Sequence, residues 1–229
     1  MTSDPPEWLG RVAEPPFDEF DERLSRFRPP ESGGRPSAVL ILVGEGPAGP
    51  DVLLIERATT MRSHAGQPAF PGGAADAGDA GAVGTALREA AEEVGLDPAS
   101  VQVVSELPAL WLPPSGFVVT PVLAWWHSPH RVSALDPAEV ASVIRVPLAE
   151  LAEPANRSRL RHPSGYIGPA FEAGGMLVWG FTAGLLDRLL ADAGWERPWD
   201  QARIRELPTE ALELSARTAP PDAPRDASA

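Results

Sequence analysis

The sequence predicts an α/β fold with a mixed sheet held between helices, and three observations point to it. Continuous aliphatic runs such as SAVLILV, 37–43, read as strands buried on both faces. Two segments, ending near Val94 and Ala193, instead carry apolar residues at helical spacing. Strands and these helices are mixed along the chain, the pattern of a layered α/β domain.

Residues 1–34 form an N-terminal arm rich in Pro, Asp and Glu. Trp8, Leu9, Val12, Phe17, Phe20, Leu24 and Phe27 give it enough apolar content for a short helix over 17–27, punctuated by Pro15-Pro16 and Pro29-Pro30. The arm is expected to pack on the domain or on a second subunit, which leaves a homodimer open. The domain itself is expected over 35–207. Its first strand is 37–43, and 44–50, with three Gly and two Pro, is a turn. DVLLIER, 51–57, is the returning strand of a hairpin. The loop 58–68 carries Arg62 and His64 and leads into a glycine turn. There Gly72 and Gly73 permit backbone angles that a side chain would forbid, and let a backbone carbonyl come close to a metal. Asp79 is placed to cap a helix that ends near Val94, with Gly95 as its stop. Gly81 and Gly84 weaken the first turns of that helix by about 1 kcal/mol each relative to Ala, so it needs tertiary support.

Further along, 101–107 alternates as a strand, and 108–116, with Trp111 and Pro113-Pro114, is expected to be a rigid loop. FVVTPVLAWW, 117–126, is another strand, in which Pro121 favours a bulge or an edge. A short strand around 143–146 precedes a turn of helix at 148–151. Arg157, Arg159, Arg161 and His162 form a local basic cluster. Segments 166–172 and 176–179 suggest a hairpin turned by Gly174-Gly175. TAGLLDRLLADA, 182–193, is an amphipathic helix closed by Gly194. The tail 208–229, rich in Ala, Pro and Asp, is expected to be disordered.

Composition narrows the function. A chain of 229 residues holds one domain with ragged ends. No stretch approaches the ~20 apolar residues that span a membrane, and MTSDPPEWLG lacks a charged-then-apolar signal pattern. The absence of cysteine excludes disulfides, zinc thiolates and cysteine nucleophiles, and suits a reducing, cytoplasmic setting. The net charge is −13, and all 19 basic residues are Arg. Nucleic acid is therefore not an expected partner, because its binding rests on neutralising many phosphates. An anionic small molecule also gains nothing from long-range steering. Recognition of phosphate must be local, through Arg forks or a metal bridge.

The helix ending at Val94 is where chemistry concentrates. Val83, Leu87, Ala90 and Val94 fall in one narrow stripe, with Glu89, Glu92 and Glu93 on the opposite side. Like charges at these spacings destabilise a helix by roughly 0.2–0.5 kcal/mol per pair, and acids near its C-terminal end oppose its dipole. A solvated acidic face is one reading. The other is a hard divalent cation among the three carboxylates.

The residues around this helix resemble those of the Nudix hydrolase superfamily. Its box is matched by Gly73, Asp79, Arg88, Glu89, Ala90, Glu92, Glu93, Gly95 and Leu96. Asp79 stands where Glu is usual, and eight residues rather than seven separate it from Arg88. That extra residue, with LLIERATTMRSHAGQPAFPGG upstream, is similar to the coenzyme A pyrophosphatase branch, whose second motif Arg57, Arg62, Gly66, Phe70, Pro71, Gly72 and Gly73 match. PSGFVVTPV, 114–122, and WGFTAGLLDRL, 179–189, also look familial. The resemblance implies an α/β/α sandwich with a mixed central sheet, and water attacking phosphorus in a nucleoside diphosphate linked to another group. It implies Mg2+ or Mn2+ as cofactor, held by Glu89, Glu93 and Glu92, with these acids and Arg88 as the catalytic set. Arg88 is expected to pair with Asp79 or a box glutamate and hold the loop against the helix. The general base is one of these glutamates or an acid from another loop. Arg57, Arg62, Gly72 and Gly73 would bind substrate.

Coenzyme A or an acyl-coenzyme A is the substrate this branch implies. ADP-ribose, NADH or a nucleoside triphosphate is the alternative, as is a non-catalytic module that binds a nucleotide. Arg57 also fits a solvated strand-end charge, and His64 a loop hydrogen bond as well as an acid–base group. Trp125, Trp126 and Trp179 read as core, whereas Trp111 is a candidate for stacking on adenine. The basic cluster at 157–161 suits either solvent or the 3′-phosphate of coenzyme A.

Overall fold

A computed structural model of the chain describes residues 4–13, 27–30, 33–60, 65–112 and 115–216, the side chains of 214–216 excepted. In order, the elements are α1 (Glu7–Ala13), β1 (Arg35–Gly46), β2 (Gly49–Arg57), β3 (Pro68–Ala69), β4 (Gly72–Ala74) and α2 (Gly81–Val94). Then come β5 (Val101–Glu106), β6 (Leu110–Leu112), β7 (Phe117–Trp126), β8 (Val140–Pro147) and α3 (Leu148–Ala152). The C-terminal part adds β9 (Arg157–Arg161), β10 (Ile167–Ala173), β11 (Met176–Val178), α4 (Gly180–Asp192), β12 (Ile204–Glu206) and α5 (Thr209–Ala216).

The main sheet runs β3-β2-β1-β7-β5, with β4 on β1, β6 on β7 and β8 on β2. It is mixed: β1 lies antiparallel to β2 but parallel to β7 over ten residue pairs. Alternation along three strands sorts its two faces. Ala38, Leu40, Leu42, Leu53, Ile55, Val122, Ala124 and Trp126 meet Ala86, Ala90 and Val94 of α2. Ile41, Val43, Val52, Leu54, Leu123 and Trp125 face the opposite way, toward α1, α3, α4 and β10. The outcome is helices on both faces of a mixed sheet, the predicted α/β/α layering. A second sheet, β11-β10-β9-β12, flanks it. No helix among the described residues is long and apolar enough to cross a membrane.

Several elements differ from expectation. The first hairpin pairs as far as Gly46 with Gly49, so the turn expected over 44–50 shrinks to Pro47-Ala48. The arm helix lies at Glu7–Ala13, and Leu9, Val12 and Phe27 are buried in the main core; the rest of the expected 17–27 helix falls outside the described residues. Part of the loop expected over 108–116 is β6, with Trp111 opposite Val118. Trp111 is therefore a half-buried strand residue. Pro121 is not at an edge, because β7 has neighbours on both sides. Its tolerance has a simple cause: β5 pairs from Val122 onward and β6 only up to Val119, so Pro121 sits at the gap between them. Its carbonyl accepts from Leu107 N–H across that gap, which is also the side where its missing N–H would point.

The tail expected to be disordered forms α5 over Thr209–Ala216, and Ala211 and Leu212 pack against Leu160 and Leu207. Residues 217–229 lie outside the described set. The basic cluster is also dispersed by its strand. Arg157 is buried in an ion pair with Asp187 and stacked between Phe171 and Trp199, whereas Arg161 is exposed and paired with Glu206. The predicted hairpin turn at Gly174-Gly175 is present, with both residues at positive φ, 60° and 75°.

Candidate active site

The site is assembled where β2 ends, β4 begins and α2 passes beneath them. β4 lies antiparallel on β1, pairing Gly72 with Val39 and Gly73 with Ala38. The two glycines serve different ends. A Cβ on Gly72 would lie 2.3 Å from the Ala38 carbonyl oxygen and 2.7 Å from Val39 Cα, so backbone packing alone demands glycine. A Cβ on Gly73 would lie 2.5 Å from Glu89 Oε1, so that glycine leaves room for a carboxylate.

Helix α2 ends as expected. Gly95 adopts φ 72°, and the N–H groups of Gly95 and Leu96 reach back to Ala91 O and Ala90 O. Its start is different. Ala80 is the cap residue and no side chain caps the helix. The Asp79 carboxylate turns inward instead and accepts from Asp76 N–H at 2.9 Å, Thr85 Oγ1 at 2.8 Å and Arg88 Nε and Nη2 at 2.8 and 3.0 Å. These donors, Arg88 foremost, hold the Asp79 carboxyl well below the usual carboxylate range. Arg88 also donates to Ala74 O at 3.0 Å, which ties β4 and the loop to the helix. The short acid and the longer spacing thus still support the bidentate pair expected of Arg88.

The buried face of α2 is centred on Thr85, Ala86, Ala90, Glu93 and Val94, with Val83 and Leu87 at its margin. The three glutamates consequently part company rather than sharing one exposed side. Glu93 is only 5% exposed and accepts a hydrogen bond of 3.0 Å from Gly72 N–H. Burial pushes its carboxyl up to about 7; Gly72 and the Arg57 charge oppose the rise, and Glu89 and Glu139 add to it. Glu89 is raised for the same main reason, burial, with Arg88 opposing and Glu92 and Glu139 adding. The Glu92 side chain is 61% exposed and pairs with Arg88 Nη1 at 2.9 Å. Arg57 stands at the strand end, its Nε buried and without a hydrogen-bond partner among the described residues. Arg62 and His64 lie outside the described residues.

Glu139 is the acid that sequence reasoning missed. It is exposed, and its charge acts on Glu89 and Glu93 because β8 pairs beside β2, with Val140 opposite Arg57. Nothing local marks it beyond an Asp-Pro turn before a strand.

A match to the family described as NUDIX domain covers residues 34–165. The chain belongs to the Nudix family. An uncharacterized Nudix hydrolase of Citrobacter koseri, NudL, is 39% identical over 189 residues, spanning 78% of this chain and 95% of that protein. The NudL of Escherichia coli K12, also described as uncharacterized, is 36% identical over 188 residues, with 78% and 95% covered. Among solved structures, the Nudix hydrolase RenU of M. smegmatis aligns over 74% of this chain and 92% of its own, with a TM-score of 0.52 and 20% identity. That likeness supports the fold.

Nudix enzymes generally use divalent ions such as Mg2+ or Mn2+. Among the described residues no three acids or imidazoles already stand close enough to enclose an ion. The donor chemistry nevertheless fits one. Glu89 and Glu93 are i, i+4 on one helix, both are held toward neutrality by burial, Glu89 adds to the rise of Glu93, and Glu139 adds to both. Gly73 leaves the Glu89 carboxylate its space. Arg88 Nη1 pairs with both Glu92, at 2.9 Å, and Glu89, at 3.1 Å.

Proposed function

We propose that this Nudix chain is a divalent-ion-dependent pyrophosphatase acting on coenzyme A or an acyl-coenzyme A, releasing adenosine 3′,5′-bisphosphate and 4′-phosphopantetheine or its acyl form. One observation carries the reading. Arg57 comes from the upstream stretch that resembles the coenzyme A branch, and it brings its charge to Glu93 while its buried Nε has no partner among the described residues. An unsatisfied buried guanidinium nitrogen beside acids is suited to a phosphate oxygen.

Held by Glu89 and Glu93, a divalent ion would supply charge neutralisation on the pyrophosphate and a more acidic bound water. The chain's own residues do the rest. Arg57 offsets phosphate charge locally, which a protein of net charge −13 cannot do at long range. Arg88 holds the loop through its fork to Asp79 and strand β4, which carries Gly73, through Ala74 O, and Gly72 N–H orients Glu93. In the hydrolysis itself a water oxygen bonds to phosphorus and the bridging P–O bond breaks, its electron pair leaving with the departing phosphate. No covalent protein nucleophile is needed.

Turnover of coenzyme A, acetyl-coenzyme A, ADP-ribose, NADH and ATP, compared with Mg2+ and Mn2+, tests this. The expected order puts a coenzyme A compound first; coenzyme A as the poorest substrate refutes the branch assignment. Arg57→Ala should raise KM about tenfold, as expected for losing one charged hydrogen bond worth about 1.5 kcal/mol.

A further inference from the structure

Strands β1 and β2 pair only from Val43–Val52 to Gly46–Gly49 and then diverge. The segment 66–72 fills the gap between them. On the β2 side Gly66 N–H donates to Arg57 O at 2.9 Å, and Arg57 N–H to Gln67 O at 3.1 Å. On the β1 side Leu40 N–H donates to Pro71 O at 2.8 Å, and Gly72 N–H reaches the Glu93 carboxylate. One short strap thus joins the backbone of Arg57 to the side chain of Glu93. Neighbouring residues of a strand direct their backbone groups to opposite sides. With Gln67 turned to β2, the buried Pro68 turns its carbonyl away, and its ring leaves no N–H there to satisfy. That carbonyl finds its donor far along the sequence. Thr182 Oγ1 donates to Pro68 O at 3.0 Å. Thr182 is the third residue of α4 and is buried. Its neighbours anchor it: Ala183 lies in the main core, and Phe181 meets Phe27 edge-on at 5.5 Å.

We propose that Thr182 is a positioning residue of the active site, whose hydroxyl fixes the strap at Pro68 so that Arg57 and Gly72 keep their places at its two ends. Valine has nearly the shape of threonine but no hydroxyl. At position 182 it would leave the Pro68 carbonyl buried without a donor, a state that backbone groups avoid by moving. The strap is the part free to move, because α4 is locked in the core by Ala183, Leu186 and Leu190. A shift at Pro68 is passed to Gln67, which pairs with Arg57, and through Phe70 and Pro71 to Gly72, which orients Glu93. The assignment rests on the proposed site at Arg57, Glu89 and Glu93 and on none of the candidate substrates.

Full-length parent, Thr182→Val and Thr182→Ser proteins decide it. Amide hydrogen exchange needs neither substrate nor metal. In Thr182→Val the Leu40 and Gly72 amides should exchange about tenfold faster than in the parent, or more, while Leu107 N–H, bonded to Pro121 O on the other flank of the sheet, stays within about threefold. Turnover is followed well below the melting temperature, on whichever of coenzyme A, acetyl-coenzyme A, ADP-ribose, NADH and ATP the parent hydrolyses fastest. There kcat should fall about tenfold or more in Thr182→Val and stay within about threefold of the parent in Thr182→Ser, which keeps the hydroxyl and drops the methyl. Exchange that rises equally at the three amides, or at none, overturns the assignment. So does a parental kcat in Thr182→Val, or a Thr182→Ser kcat as low as that of Thr182→Val. Where Thr182→Val fails to fold, Thr182→Ser decides alone: parental exchange and kcat support the role, and a tenfold change in either overturns it. A parent that hydrolyses ADP-ribose or ATP but not coenzyme A refutes the substrate and leaves the role of Thr182 standing on the same measurements.

Discussion

Replacing Glu93 with Gln should stabilise the metal-free protein at alkaline pH. A carboxyl moved from 4.5 to about 7 by burial is harder to ionise by roughly 3 kcal/mol in the folded chain than in the unfolded one. The sign follows from linkage. Because the folded value is the higher, the stability belongs to the protonated form. It is complete below pH 4.5 and is lost as pH rises through about 7. At pH 8 nearly all of it is gone, whereas at pH 5 less than about 1 kcal/mol is. Glutamine carries no charge at either pH and keeps an oxygen for Gly72 N–H, so the comparison isolates the ionisation. The variant should gain about 2–3 kcal/mol over the parent between pH 5 and pH 8, a rise in relative Tm of roughly 5–10 °C for a domain of this size. Thermal unfolding in EDTA at the two pH values measures it. Mg2+ binds the ionised carboxylate, so it should raise the parent's Tm more at pH 8 than at pH 5. A variant that tracks the parent at both pH values, or is less stable at pH 8, would show that Glu93 is not a strained buried acid.

The adjacent glycines should separate stability from activity. Gly72→Ala forces a Cβ against the backbone of Ala38 and Val39 and should lower stability by about 1–3 kcal/mol in a denaturant titration. Gly73→Ala meets the movable carboxylate of Glu89 first, so Tm should hold within a few degrees while kcat falls at least tenfold. Asp79→Asn weakens the fork to Arg88. Because that carboxyl is held below its ordinary 3.8, its contribution is present above pH 3.8 and lost only as pH falls through the lower folded value. The variant should therefore melt below the parent at pH 7 and at pH 5, with the gap closing only in stronger acid; an equal Tm at pH 7 would refute the loop-tying role.

Much of the architecture follows from local pattern. The runs at 37–43, 51–57 and 117–126 become the central strands, and Gly95 and Gly174-Gly175 act as helix stop and hairpin turn. Side-chain period and the left-handed backbone of glycine are properties of a few consecutive residues, so one stretch of chain reveals them. The pairing of Arg88 with Asp79 was readable for a related reason: both lie on one loop and helix, within reach of each other.

Where local rules compete, tertiary contacts decided. Pro121 sits inside the sheet because β5 and β6 divide the flank of β7, and that division belongs to two other segments. Asp79 left its capping position because Arg88, Thr85 and Asp76 together offer its oxygens more donors than the helix end does. Three glutamates that share one side by sequence spacing became one buried, one half-buried and one exposed, because β4 closes over Glu93 while Glu92 is left facing solvent. Sequence alone determined the family, the strand and helix pattern and the position of the acidic helix. The ionisation of each acid, and the influence of Glu139 on it, depended on the fold. A carboxylate's charge state answers to the water, dipoles and ions around it, and residues far along the chain supply them.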